Sequence, residues 1–549
     1  MKIILDIETN STHDNIWCAV TRTLDTDEVI CHTESKTLKP LLEKCDTIIG
    51  HNLISFDAPI LNRLWGTTIR LSQITDTLIL SRLLSPSLEG GHSLAAWGQR
   101  LGNQKTEFSD WDGGLTQTMM DYCVQDTAVT KQLYNMLVSE LKSKEFSEQC
   151  IKLEHQVQGI IAKQERNGFK LDAPRVMSLL AMWKAECEQI SDKLQELFPP
   201  IVTERFSEKT GKQLKDNVEV FNVGSRQQIA KRLQSMGWIP DKKTEKGQVI
   251  IDESVLEALP YPEAKEIARY LLLQKRISQA ESWLEAMQTD GRVHGKVITN
   301  GAVTGRMTHH SPNMAQIPNS GAVYGKECRS CWTVEKGYRL VGIDASGLEL
   351  RMLAHYMNDD AYTNEVVSGD IHTANQKAAG LQERNQAKTF IYAFLYGAGS
   401  TKIGKIVGGS AKEGQALIDA FLKNTPKLRV LREKVVRIFS EKGTLPGLDG
   451  RKLLVRSEHS ALNTLLQGAG AIVMKQALVI LESSLRKNKI DFKFVANVHD
   501  EWQIEVREEQ AEDAGKLGVL AIEEAGRVLN MRCPLTGEFK TGYTWEQTH

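Results

Sequence analysis

Six carboxylates stand where this sequence could do chemistry, and they fall into two sets. The first set lies near the start: Asp6 and Glu8 in MKIILDIETN, Asp57 in IIGHNLISFDAPIL, and Asp126 in MMDYCVQDTAVTKQL. Alternation on a short strand that begins at Lys2 puts Asp6 and Glu8 on one face. A spacing of four puts Tyr122 and Asp126 on one face of a helix. The second set is Asp344, at the tip of a strand in RLVGIDASGLELR, and Asp500, in FKFVANVHDEWQIEV. Alternating apolar residues on both sides of His499-Asp500-Glu501 predict a hairpin with its acidic turn exposed. A carboxylate at a strand tip is held rigidly and can still be reached. Asp344 and Asp500 are therefore expected to meet across one sheet. Like charges a few Å apart repel by roughly 4 kcal/mol at moderate dielectric, so neither set gathers without cations.

Other positions add to these sets. Arg384, Lys388 and Tyr392 in RNQAKTFIYAFLYG recur every four residues, so they form one helix stripe. Two cations and an aromatic ring on one face suit a polyphosphate; the plainer reading is a solvated basic stripe with packed aromatics. Glu349 follows Ser346 by three residues, which fits a helix capping box. Asn463 and Gln467 in NTLLQ are four apart, a spacing that also suits an ordinary helix surface. Asp76 in ITDTLILSRLL reads as a supporting residue near the first set, and His92 in GGHSL as structural. His309 and His310 read as loop packing or phosphate neighbours rather than metal ligands.

Positioning these groups takes several cores, and 549 residues suffice for three or more folding units. Hydrophobic content of 41% and charged content of 25% fit a soluble globular protein. A net charge of −1 means that any groove for nucleic acid is a local basic patch offset by acidic surface elsewhere. No apolar run is expected to cross a bilayer, and the acidic start is not a signal peptide, which points to the cytoplasm. Nine cysteines without secretory context read as reduced thiols, and Cys328-x-x-Cys331 lacks the partners of a zinc site. Residues from about 146 to 197 carry helical periodicity, interrupted at Gly168. An exposed hairpin or loop follows, then a helix from Ser225 and another over AKEIARYLLLQKRISQAESWLEAM. The Lys and Arg of these helices read first as solvated faces.

The motifs resemble known families. D-x-E, N-x-x-x-F-D and Y-x-x-x-D in that order resemble the proofreading 3′→5′ exonucleases of the DEDD type. That resemblance implies Asp6, Glu8, Asp57 and Asp126 as metal ligands and Tyr122 as the residue orienting the attacking water. FNVGS, GAVTGRMTHHSPNMAQIP, R-x-x-x-K-x-x-x-Y-x-x-x-Y-G and H-D-E resemble family A DNA polymerases, especially phage replicative enzymes, over nearly the whole chain. The resemblance implies an RNase H-like α/β exonuclease domain over 1–145, then a right hand with an α+β palm. Its parts would be a mostly helical thumb over 146–290, palm over 291–358, fingers over 359–454 and the rest of the palm over 455–549. Nothing before the exonuclease domain is expected to act as a 5′ nuclease.

By the same resemblance, Asp344, Asp500 and the backbone at Ala345 hold metal, with two Mg²⁺ per active site and Mn²⁺ as a substitute. Arg384, Lys388 and His372 bind the incoming phosphates, and Lys388 is a candidate proton donor. Tyr392 stacks near base and sugar, and its hydroxyl implies acceptance of dideoxynucleotides. Glu349 excludes a ribose 2′-hydroxyl and bonds a fingers tyrosine. Arg306 reads the minor groove at the primer end, Tyr396 and Gly397 gate the template, and Arg451 meets template phosphate. Asn463 and Gln467 read template and minor groove, while Glu501 and His499 support the primer terminus. Implied partners are primer–template DNA, dNTPs and a phage helicase-primase. Pro199 to Phe221 leaves room only for a short hairpin, so a thioredoxin-type processivity factor is not expected. The rival readings are a single-subunit RNA polymerase, against which Glu349, H-D-E and the exonuclease motifs argue, and a non-catalytic DNA-binding scaffold, against which all six carboxylates argue.

Overall fold

The computed structural model describes residues 1–104, 108–240, 243–244 and 246–549. The N-terminal unit is built on a mixed sheet of β1 (Lys2–Thr9), β2 (Ile16–Thr23), β3 (Val29–His32), β4 (Thr47–Gly50) and β5 (Ile74–Asp76), ordered β3-β2-β1-β4-β5. β1 pairs antiparallel with β2 and parallel with β4. Ile3, Ile4, Leu5 and Ile7 are all buried, as a central strand covered on both faces requires. Helix α1 (Thr77–Leu84) is capped by the Asp76 carboxylate, which accepts from Leu78 N. Helix α2 (Gln117–Ser143) is capped by Thr116 and packs on β1 and β2.

Helix α3 (Glu148–Asn167) starts at the cap Ser147 and stops at Gly168. The sequence grouped it with the helical segment that follows, but the fold does not. Leu153, Val157, Ile160 and Ile161 are buried in the core that also holds Ile343, Leu478 and Ile504. Helices α4 (Ala173–Leu197) and α5 (Pro262–Ala286) build a separate core around Trp183, Leu194, Leu273 and Ile277. Between them β6 (Ile201–Phe206) and β7 (Gln213–Glu219) form the short exposed hairpin expected there.

A second hairpin, β8 (Lys296–Ile298) and β9 (Thr308–His310), carries Arg306 in its loop. Strand β10 (Tyr338–Ala345) leads into α6 (Leu348–Met357), and α7 (Ile371–Ala379) and α8 (Arg384–Leu395) follow. After α9 (Ala461–Lys487) come β11 (Phe492–Val498), β12 (Glu501–Arg507), α10 (Ala511–Val528) and β13 (Gly537–Gly542). The four strands make one antiparallel sheet ordered β11-β12-β10-β13. α10 lies directly on it. A Cβ at Gly515 would fall 2.1 Å from Phe539, and one at Gly518 would fall 2.3 Å from Ile343, so both positions need glycine.

One expectation fails here. The helical run 458–487 is long and apolar enough to span a bilayer, contrary to the sequence reading. Of its most apolar window, 78% is buried inside the protein, so its apolarity is that of a central core helix.

Candidate active sites

Three of the first carboxylates, Asp6, Glu8 and Asp57, come together at one end of β1. Asp6 and Glu8 sit on the strand, and the backbone N–H of Ile7 between them donates to Asp57 Oδ1 at 3.1 Å. Asp57 opens the short helix Asp57–Ile60, and its loop is held from behind. Asp76 accepts from Asn52 N at 2.8 Å and from Ile54 N at 3.1 Å, the supporting role its sequence context suggested. Burial, then the charge of Asp6, pushes Asp57 well above the usual carboxylate range. α2 brings Tyr122, Cys123 and Asp126 to this end, and Asp126 is buried one turn beyond Cys123. The Tyr122 ring packs edge-on against Trp111, 5.8 Å between centroids.

Cys123 is a member of the cluster that sequence reasoning missed. Its Sγ donates to Asp6 Oδ2 at 3.4 Å, and ligand atoms of Asp6, Glu8 and Cys123 lie within 4.8 Å of one another. Burial holds its thiol far above the usual value, so it stays protonated and leaves the oxygens to a hard cation. The signal was its place beside Tyr122, three residues before Asp126 on the same helix.

The second set meets as the hairpin pattern required. Asp344 pairs across the sheet with Glu501, and Ala345 N donates to the carbonyl of Asp500 at 3.2 Å. Asp500 lies in the β11–β12 turn, where His499 takes the left-handed conformation. Burial, then the charges of Asp500 and Glu501, pushes Asp344 up to about 7. Burial, then Glu349, pushes Asp500 up to about 6, although Arg306 pulls the other way. Arg306 Nη2 lies 3.4 Å from Glu349 Oε1 and 3.8 Å from Asp500 Oδ1.

Glu349 does not form the capping box. Gly347 occupies the N-cap position of α6 and no side chain caps it. Released from that role, Glu349 Oε1 accepts from the Tyr396 hydroxyl at 3.0 Å. Tyr396 ends α8, and its ring stacks with Tyr392 at 6.4 Å. Gly397 must remain glycine, since a Cβ there would fall 2.9 Å from the His459 carbonyl in a left-handed backbone. Arg384 and Lys388 are exposed on the same helix, while Ala387, Phe390, Ile391 and Phe394 face the core. Arg384 pairs with Asp370 at 2.9 and 3.0 Å, an exposed bridge that a phosphate can displace. His372 sits 6.3 Å from the Tyr392 ring, and burial, then Arg384 and Lys388, keeps it below its usual pKa. Asn463 and Gln467 are the half-exposed positions in a turn whose neighbours Leu462, Leu465 and Leu466 are buried.

The family model for DNA polymerase family A matches residues 191–547, and that for a 3′-5′ exonuclease matches residues 6–142. The chain is 34% identical to the DNA-directed DNA polymerase of Escherichia phage T7, with 100% of both chains covered. The chain is a family A DNA polymerase. The polymerase is also 35% identical to the DNA-directed DNA polymerase of Enterobacteria phage T3, over 91% of this chain and 92% of that one. DNA polymerase I of Pseudomonas aeruginosa is 26% identical over 97% of this chain and 60% of its own length. Among solved structures, "POL domain of Pol1 from M. smegmatis complex with DNA primer-template and dNTP" shares the fold, with a TM-score of 0.81 at 19% identity, covering 99% of this chain and 95% of that one. The enzyme is thus a DNA-directed DNA polymerase with a 3′→5′ exonuclease domain.

Within this polymerase two sequence expectations need correction. Arg451 does not face template. Its guanidinium is buried, 2.6 Å from Glu154 and 2.6 Å from Asp449, and Lys475 Nζ adds a further contact to Glu154 at 2.6 Å. An exposed-looking LDGRKL concealed this, because Asp449 reads there as a turn residue and Glu154 lies about 300 residues away in the chain. Glu501 is not on the exposed face that the acidic turn was expected to present. It is buried and accepts from Trp545 Nε1 at 2.6 Å and from Gln503, with His549 Nδ1 at 3.2 Å and Arg329 Nη1 at 3.6 Å. Burial alone would raise its pKa, but His549 and Arg329 outweigh this and hold it below the usual range. Glu501 therefore anchors the C-terminal residues beneath the turn that carries Asp500. Nothing in sequence linked Arg329, Trp545 and His549 to it.

Both sites fit divalent cations by their donors. Each gathers carboxylate oxygens whose charged forms are penalised by burial and by one another, the arrangement that a hard dication relieves.

Proposed function

We propose that the pocket around Asp344 and Asp500 adds dNTPs to the primer 3′ end of a primer–template, and that the pocket around Asp6, Glu8, Asp57 and Asp126 trims that end. Each would hold two Mg²⁺ ions, replaceable by Mn²⁺, on these carboxylates, and the Ala345 backbone would contribute to the first. When bound, the ions activate the attacking oxygen and neutralise the leaving one. Tyr122 orients the attacking water in the trimming pocket.

The chain's own groups do the rest. Arg384, Lys388 and His372 bind the triphosphate, and Lys388 gives a proton to the departing pyrophosphate. Tyr392 stacks on the incoming nucleotide, while Glu349, tied to Tyr396, leaves no room for a 2′-hydroxyl. Arg306 reads minor-groove acceptors common to every correct pair, so it checks geometry without demanding sequence. Asn463, Gln467 and His499 line the same duplex, and Tyr396–Gly397 borders the template. The division into exonuclease 1–145, thumb up to 290, fingers 359–454 and two palm parts supports these roles, with α3 counted in the palm. Coupling to a helicase-primase and a location in a host's cytoplasm are the finer parts of this proposal.

The observation that carries this reading is the backbone hydrogen bond from Ala345 to Asp500, which fixes two carboxylates beside Arg306, Glu349 and Tyr396. The test is a labelled primer–template with Mg²⁺, with and without dNTPs. Asp344→Asn should abolish growth and spare trimming, and Asp57→Asn should do the converse. Growth that survives Asp344→Asn overturns the assignment.

A further inference from the structure

Helix α3 packs against both the exonuclease unit and the palm, and one of its buried side chains bonds a loop of each. Gln158 Nε2 donates to Ser55 Oγ at 2.9 Å, and Gln158 Oε1 accepts from Thr299 Oγ1 at 2.9 Å. Ser55 lies two residues before Asp57, in the loop that Asp76 holds by its backbone. Thr299 opens the loop that ends at Arg306. That loop is anchored to the exonuclease unit a second time, because Asn300 Nδ2 donates to the carbonyl of Arg82 in α1 at 3.0 Å. Its tip is a tight turn, with Gly305 N bonded to Ala302 O at 2.8 Å and Ala302 N to Arg306 O at 3.2 Å. The next turn of α3 repeats the connection: His155 Nε2 accepts from Asp76 N at 2.9 Å, and Glu154 pairs with Lys475 and Arg451.

We propose that Gln158 is a positioning residue shared by the two activities, linking the placement of the Ser55–Asp57 segment to that of the Thr299–Arg306 loop. A side-chain amide is the right group for this. It offers a donor on one end and an acceptor on the other, and here each end has a single hydroxyl partner from a different unit. Both segments are irregular backbone held at a few points, whereas α3 is packed along its length, so a displacement of either would pass through this amide. A displaced primer end that moves Arg306 would thus be felt at Asp57, and a strand seated in the trimming pocket would be felt at Arg306. The inference rests on the reading of Asp57 and Arg306 given above.

The test is a double-mutant cycle on the full-length enzyme, measuring single-strand excision and single-nucleotide incorporation for every variant. Thr299→Val and Ser55→Ala each remove one hydroxyl with little change of shape, and each is made alone and with Gln158→Leu. Expected is a cross effect. Thr299→Val, outside the trimming pocket, should lower excision kcat about threefold with KM unchanged, and Ser55→Ala should do the same to incorporation, as one lost hydrogen bond of about this worth allows. Neither should act across the helix once Gln158→Leu is present. If Thr299→Val alters incorporation alone and Ser55→Ala alters excision alone, in both backgrounds, the proposal is overturned. Activities that fall together with the unfolding midpoint would also overturn it, since that is a structural loss. The Asp344 and Asp57 variants test the underlying assignment separately, so the two failures are distinguishable.

Discussion

Replacing Arg451 by methionine decides between a DNA contact and a structural ion cluster. Methionine keeps length and apolar bulk while deleting the charge. The guanidinium is 2.6 Å from Glu154 and 2.6 Å from Asp449, and all three side chains are almost wholly buried. Glu154 would retain Lys475, but Asp449 would lose its ion pair and keep the backbone N–H of residue 451 at 3.3 Å. Breaking a buried pair from one side costs about 3–5 kcal/mol, because the remaining ion stays desolvated. For a large cooperative unit this lowers Tm by about 6–10 °C at roughly 2 °C per kcal/mol. The exonuclease core around Ile3, Leu5 and Leu61 is separate, so its transition should move little. Calorimetry reads both transitions in one scan. Arg451→Met combined with Asp449→Asn should recover at least half of the loss, since the unpaired charge is then gone. DNA affinity, measured against salt, should keep its slope. A side chain that met template phosphate would give the opposite result: wild-type Tm and a slope shallower by about one. That outcome would refute the burial argument.

Asp344 and Asp500 carry a pH prediction. Their folded values of about 7 and about 6 lie above those of the unfolded chain, so between about pH 4 and 7 the folded protein holds protons that the unfolded one releases. In chelator, the contribution of this pair to stability should therefore fall as pH rises through that window and level off above it; Tm of wild type minus that of the Asp344→Asn/Asp500→Asn variant reads it directly. Added Mg²⁺ should cancel the fall at pH 8 and do little at pH 5, and a difference curve that rises with pH would contradict the argument. Glu349→Ala should reduce discrimination against ribonucleotides by about 10–100-fold, and Tyr396→Phe, which removes only the hydrogen bond, by about fivefold, both read from kcat/KM ratios. Cys123→Ala should slow excision about threefold and leave incorporation unchanged, whereas Cys123→Ser, which keeps a donor toward Asp6, should restore it.

What the sequence made legible follows from the range of its signals. Alternation is a two-residue rule and helix facing a four-residue rule, so β1, α8 and the Asp500 turn could be read directly, along with the side chains they aim. The meeting of Asp344 with Asp500 is a long-range fact, and it was read from two strand-tip carboxylates set in motifs that resemble those of one family. The Ser346–Glu349 spacing misled because the capping signal is equally local, and a better partner, Tyr396, came from another element. Arg451 misled more instructively. A cation near a Gly-rich turn looks solvent-bound, and only its tertiary neighbours Glu154 and Lys475 show otherwise.

Lys475 did leave a trace: it interrupts the apolar run AIVMKQALVIL on the long core helix α9. A lysine there must be paired or neutral. Burial outweighs the attraction of Glu154 and lowers it to about 8, while that carboxylate pulls the other way and favours the charged form. Lys475 and the two palm aspartates thus show both sides of one rule. Where a buried charge meets its opposite, as at Glu154, it joins α3 to the polymerase core. Where like charges are forced together, as at Asp344 and Asp500, the protein holds a site whose electrostatic strain only a cation or a proton can release.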